Sequence, residues 1–267
     1  MNADLVIDDG WYKKTHEGVT PRDFMLRDLN VKTAFITMDS FPKKSHGLMA
    51  LINKIFPRGQ LVHEEKFHFK YDQNLDKISY LKEKSVYLNG YWQSFRYFEK
   101  IRQNLESELR PLIVAPSYYQ NILSQIQKSH SAMLHIRRGD YILSKSASKI
   151  HGFLGLDYYQ RAMDYLLGTN QNTQFFIFSD DMDWAKENLP HKSKCVFISP
   201  LPLTISPIYE LELMKACKVH VIANSSLSWW GAWLKEQIDY PTICPKSWTN
   251  SHKLDLNDLL PNTWLRI

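Results

Sequence analysis

The sequence predicts an α/β fold whose second half is a doubly wound parallel sheet. Short apolar runs alternate with helix-patterned stretches from Ser131 to Cys244, which is the order of a parallel sheet with crossover helices. Phe175–Phe178 is a continuous apolar run, as a strand buried on both faces reads. Polar residues gather where three of the runs stop, and open parallel sheets hold their ligands at those strand ends.

In the first half, Leu5–Ile7, Thr33–Ile36 and Ser85–Leu88 read as strands, and Ser45–Phe56 and Phe98–Leu109 as helices. Pro111 follows the last of these and cannot continue it. Ser117-Tyr118-Tyr119-Gln120 fits a capping box ahead of Ile122, Leu123 and Ile126 at helical spacing. Further on, Ser131–Ile136 is a strand, and Asp157 caps a helix through Tyr159, Ala162, Met163 and Leu166 that Gly168 stops. Phe175–Phe178, Cys195–Ile198, Val219–Ala223 and Thr242–Cys244 are the remaining strands. Met182–Leu189, Ile208–Cys217 and Leu227–Gln237 are the helices between them. Prolines at 111 and 116 flank a short apolar piece, which suggests a boundary and two domains, 1–112 and 113–267.

A chain of 267 residues, 44% hydrophobic and 23% charged, has the composition of a globular protein with a sizeable core. Its net charge of +5 suits an anionic small molecule or an acidic membrane face, and is too weak to argue for nucleic acid. Cys195, Cys217 and Cys244 are widely spaced in or beside apolar stretches, which fits reduced thiols in a reducing compartment. The start, Met1-Asn2-Ala3-Asp4, lacks the pattern of a secretion signal, and no window of eighteen uncharged apolar residues occurs. A cytoplasmic location is the expectation.

Three strand ends carry the chemistry. The first is Arg137-Arg138-Gly139-Asp140, where two permanently charged planar forks suit a diphosphate. The second is Ser179-Asp180-Asp181, whose carboxylates either contact a nucleotide or cap the next helix. The third is Asn224-Ser225-Ser226-Leu227-Ser228, a hydroxyl-rich turn opening a helix, where free amides and the macrodipole favour an anion. An Arg pair is often a solvated surface, and Trp229, Trp230 and Trp233 fit a core better than a stacking platform. Three such ends together are a stronger signal than any one of them.

At these residues the chain resembles glycosyltransferase family 11, the α-1,2-fucosyltransferases, in its bacterial branch. His135-Ile136-Arg137-Arg138-Gly139-Asp140 matches the His-x-Arg-Arg-x-Asp motif, and Phe178-Ser179-Asp180-Asp181 matches a second block. Asn224 to Trp233 matches a third block almost letter for letter, and Gly90-Tyr91-Trp92-Gln93-Ser94 resembles a fourth, with Phe95 where family members usually carry Glu. The resemblance implies a GT-B-like fold of two Rossmann-type domains, with GDP-fucose held by the C-terminal one. It implies inverting transfer of fucose to the 2-hydroxyl of a terminal galactose, with no metal or other cofactor. Carried over by position, Arg137 and Arg138 bind the diphosphate, and Asp180 or Asp181 contacts the nucleotide. Ser225, Ser226 and Ser228 lie near the phosphates, with His135, Ser179 and Asn224 beside them. Asp140 either takes the acceptor proton or orients an arginine, while His151 and Asp157 are further candidates for the acceptor side.

The expected partners are GDP-fucose and a galactose-terminated oligosaccharide or lipid-linked glycan, with no nucleic acid. A lipid-linked acceptor would bring the protein to a membrane surface. Family members begin with a strand and a Gly-Gly-Leu-Gly-Asn-Gln-Met-Phe-Gln segment that this chain lacks; its start resembles the stretch just after that block in the family. An inactive glycan- or nucleotide-binding relative, or a transferase of the same fold with another nucleotide sugar, are therefore the rival expectations.

Overall fold

The computed structural model describes residues 4–14, 23–37, 60–64, 69–73, 75, 86–139, 152–235, 240–250 and 254–267. The chain divides into two units. One gathers Met1–Thr15, Lys32–Lys100 and Leu254–Pro261, the other His16–Val31, Ile101–Lys253 and Asn262–Ile267.

In the first unit β1 (Val6–Asp8) pairs in parallel with β2 (Ala34–Ile36), and β3 (Gln60–His63) with β4 (Val86–Asn89). The β3 strand was not expected, and the helix expected at Ser45–Phe56 lies outside the described residues. Asp258 anchors the returning segment here: its carboxylate accepts from the Tyr71 amide at 2.8 Å and from Arg96 Nη1 at 3.3 Å, while its carbonyl accepts from the Phe95 amide at 3.1 Å. Gly90–Ser94, the fourth motif, leaves β4 through Trp92, whose φ of 48° is left-handed.

The second unit holds α1 (Arg102–Glu108), α2 (Ser117–Lys128) and then the expected alternation. It runs β5 (His130–Ile136), α3 (Leu156–Thr169), β6 (Thr173–Ser179), α4 (Met182–Asn188), β7 (Cys195–Ile198) and α5 (Ser206–Ala216). It continues with β8 (Val219–Val221), α6 (Ser226–Trp233), β9 (Thr242–Cys244) and β10 (Leu265–Arg266). The six strands form one all-parallel sheet in the order β10-β9-β8-β5-β6-β7. Counted from β5, that is 3-2-1-4-5-6 read from the β7 edge. The connections wind one way from β5 to β7 and the other way from β8 to β10, so the order reverses between β5 and β8. This is the doubly wound sheet that the sequence predicts.

The helix boundaries differ from expectation in three places. The stretch read as a helix over Phe98–Leu109 is two short 3-10 turns, Phe95–Tyr97 and Glu99–Ile101, followed by α1. Pro116 takes the cap position of α2, and Gln120 donates to the Ala115 carbonyl at 2.7 Å in place of a capping box. Helix α3 starts after Gly155, Asp157 pairs with Arg161 at 2.6 Å one turn on, and Gly168 lies inside the last turn, where a side chain would meet open space. The exposed Gly168 carries no left-handed conformation, so it does not end the helix.

Residues Ser131–Ile136 of β5 are all buried, and Leu134, Ile136, Phe175 and Ile177 pack against Tyr159, Ala162 and Met163 of α3. Helices α5 and α6 approach closely: a Cβ on Gly231 would stand 2.8 Å from Met214 Cβ. Arg102 closes the far end of α6, donating to the Trp233 carbonyl and to that of Lys235 at 3.1 Å, with its guanidinium 4.7 Å from the Trp233 ring. Trp229 and Trp233 stack at 5.7 Å beside Trp230, so these tryptophans serve the core. All three cysteines are free thiols, Cys217 and Cys244 buried.

Candidate active site

The topology brings the predicted strand ends together. Ile136, the last residue of β5, lies opposite Ser179, the last of β6, and Leu134 lies opposite Val221, the last of β8. Neighbouring strands stand about 4.8 Å apart. Arg137-Arg138, Ser179-Asp180-Asp181 and Asn224-Ser225-Ser226 therefore leave the same edge of the sheet side by side, around the point where the strand order reverses.

At the β5 exit the chain is pinned by carboxylates from the β6 exit. The Arg138 amide donates to Asp180 Oδ1 at 2.8 Å, and Arg137 Nη1 lies 3.2 Å from Asp180 Oδ2. Burial opposes charge on Asp180, but the Arg138 amide, the Arg137 guanidinium and the Gly139 amide outweigh it and hold the carboxyl below its usual range. Gly139 fits tightly here, since a Cβ would stand 3.2 Å from the Asp180 carbonyl. Arg138 Nη1 pairs with Asp181 Oδ2, while Asp181 Oδ1 accepts from the Trp184 amide at 3.2 Å and caps α4. Asp181 thus caps the next helix, as one of the two sequence readings has it, and also pairs with Arg138; Ser179 Oγ supports it by accepting from its amide at 2.9 Å. The Arg137 and Arg138 side chains are 21% and 24% exposed, which is access for a ligand without the freedom of a surface arginine.

His135 precedes this exit and is buried. Desolvation, reinforced by the Arg137 charge, pushes its pKa down to about 3, so the ring is neutral. It backs the site and adds no charge to it. Asp140 and His151 lie outside the described residues. Asp157 is 72% exposed and bonded to Arg161, which lowers its pKa, so it is a weak base.

The β8 exit is built from neutral donors. Asn224 is buried and donates to the Gly152 and Trp248 carbonyls, each at 3.2 Å, which fixes the turn. Ser225 occupies the cap position of α6 in extended backbone but makes no side-chain capping bond. Ser226 is exposed on the first turn. Ser228 is buried with its hydroxyl turned onto the Ser225 carbonyl at 3.3 Å. The first amides of α6 have no partner within the helix and point out along its axis. They open at the β8 exit, next to the strand that carries the two arginines.

Glu210 was not foreseen. It lies on α5 one turn before Met214, and its charge acts on Tyr118 of α2. Its carboxyl makes no hydrogen bond or ion pair with another described residue, and burial raises its pKa to about 7. Nothing but an acid inside an apolar helical pattern marked it in the sequence. Among the described residues no group of three His, Cys, Asp or Glu is placed to hold a metal ion, and no helix is long and apolar enough to cross a membrane.

A profile described as "Glycosyl transferase family 11" matches residues 53–267. The chain belongs to glycosyl transferase family 11. Its relatives include an "Alpha-1,2-colitosyltransferase" of Escherichia coli, 33% identical over all of this chain and 89% of that one. The "O-antigen biosynthesis glycosyltransferase WbnK" of Escherichia coli is 27% identical over 95% of this chain and 88% of its own length. A Bos taurus "Galactoside 2-alpha-L-fucosyltransferase SEC1" is 23% identical over 79% of this chain and 59% of its own. A family 11 chain is a glycosyltransferase, which takes a nucleotide-sugar donor and a glycan acceptor, and the Arg–Asp cluster lies within the matched residues.

Proposed function

We propose that this family 11 chain transfers L-fucose from GDP-fucose to the 2-hydroxyl of a terminal galactose, with inversion and without a metal ion. The observation that carries the reading is the pair of half-buried guanidiniums at the β5 exit beside the α6 start. As the C1–oxygen bond of the donor breaks, its electron pair passes to the β-phosphate while the sugar becomes oxocarbenium-like. Fixed cations and helix amides stabilise that departing charge more than they stabilise the bound donor. Two arginines supply what a divalent ion supplies elsewhere. The acceptor oxygen attacks the opposite face of C1 and gives up its proton, for which Asp140 is the first candidate.

In this reading Arg137 and Arg138 hold the diphosphate, Ser225 and Ser226 donate to it, and Asp180 and Asp181 set the arginines. Glu210 then accepts from the nucleobase, since guanine offers a paired N–H edge to a carboxylate. Residues 113–267 serve the donor and residues 1–112 the acceptor. A cytoplasmic setting, with an oligosaccharide or lipid-linked acceptor at a membrane surface, completes the proposal.

The colitosyltransferase relative favours a second reading in which the donor sugar is colitose, which is fucose without its 3-hydroxyl. The test is transfer to a galactose-terminated acceptor from GDP-fucose and GDP-colitose in parallel. Faster transfer from GDP-fucose supports the first reading, and transfer from GDP-colitose alone replaces it with the second. GDP binding without transfer of either sugar would make the chain a binding protein.

A further inference from the structure

Trp184 has no role in the proposed transfer, yet its contacts converge on one of the two arginines. Its ring centroid lies 4.9 Å from the Arg138 guanidinium carbon, and Phe153 stands 5.9 Å from the same atom. The Trp184 backbone amide holds the Asp181 carboxylate, whose second oxygen holds Arg138 Nη1. Arg138 Nε is buried with no hydrogen-bond partner among the described residues, so this fork is fixed by ring contacts and a single ion pair.

We propose that Trp184 is a positioning residue: its indole face, with Phe153 as a weaker second contact, holds Arg138 in the orientation that meets the diphosphate. A free arginine side chain loses much of its rotamer freedom when it is ordered. A ring that orders it before the donor arrives removes that cost from binding. Phe153 is 51% exposed at the edge of this cluster. It follows Gly152, whose φ of +61° and whose carbonyl, bonded to Asn224, fix the chain there. The exposure of a large apolar ring is accounted for by the guanidinium beside it.

The inference rests on the diphosphate reading, and the two are separable by a double-mutant cycle read as GDP affinity by calorimetry. Trp184→Leu keeps an apolar side chain and loses the π face, while Trp184→Phe keeps a ring. Expected is a GDP Kd raised about tenfold in W184L and within about twofold of wild type in W184F, the scale of one desolvated cation–π contact. In an R138A background W184L adds less than about twofold, because the group it positions is gone. Full, independent weakening by W184L on top of R138A overturns the positioning role, as does an unchanged Kd in W184L alone. If R138A by itself leaves GDP binding intact, the diphosphate reading fails and the positioning role falls with it. Unfolding midpoints of all variants identify any loss that comes from the fold.

Discussion

The exits of β5 and β8 stand next to each other at the sheet's reversal point and solve the same problem differently. The β5 exit is ionic, with Arg137 and Arg138 paired to Asp180 and Asp181 from the β6 exit. The β8 exit is neutral, and the donors it offers are helix amides and the hydroxyls of Ser225 and Ser226. A charged fork needs partners to keep it in place in a half-buried site, and the partners must not cancel it. A helix start needs none, because its backbone already fixes the donors. Damage should therefore spread further through the first exit than through the second.

The largest effect is expected where one residue ties both the loop and an arginine. Asp180→Ala removes the acceptor of the Arg138 amide and the partner of Arg137, and is expected to lower kcat/KM by about 10²-fold. Steady-state kinetics with the accepted donor check it, and a loss below tenfold would mean that the loop holds its shape unaided. Next is Gly231→Ala, which forces α6 away from Met214. Overpacking of this kind costs about 1–3 kcal/mol, seen as a lower midpoint in urea, with weaker GDP binding because the α6 start moves. Ser225→Ala sharpens the contrast. That hydroxyl makes no capping bond, so stability is expected to stay within about 0.5 kcal/mol. Its GDP affinity is expected to fall by about tenfold, the low end of the worth of one hydrogen bond to a charged group.

The pH dependence separates site from scaffold. Glu210 has its pKa raised to about 7 from 4.5, so the folded chain binds the extra proton between those values and loses stability as pH rises through that window. If its carboxylate reads the nucleobase, GDP affinity rises through about pH 7, and Glu210→Gln flattens that rise. His220 is buried, with its pKa lowered to about 3 from 6.5. The unfolded chain binds its proton first, so stability falls as pH drops below 6.5, and His220→Gln is expected to reduce that slope in urea titrations.

The doubly wound sheet was legible because β5, β6 and β8 are buried on both faces and therefore mostly apolar. The three strand ends were legible because polar residues stop those runs abruptly. β3 and the two-residue β10 were not read, since Gln60–His63 mixes polar and apolar residues and Leu265–Arg266 is too short for a pattern. Gly168 misled because an exposed glycine at normal φ looks the same in a sequence as a left-handed cap. In the site, the residue types at each exit were readable but not who pairs with whom. That Asp181 both caps α4 and holds Arg138 depends on the β5–β6 register, and Trp184 reaches Arg138 only through side-chain direction.

If the β5 exit binds a diphosphate and not merely a nucleotide, calorimetry should separate GDP from GMP on the wild type and on Arg137→Ala. Expected is a GDP advantage of at least tenfold in the wild type that collapses to about twofold in the variant. An R137A chain that still prefers GDP as strongly as the wild type would contradict it.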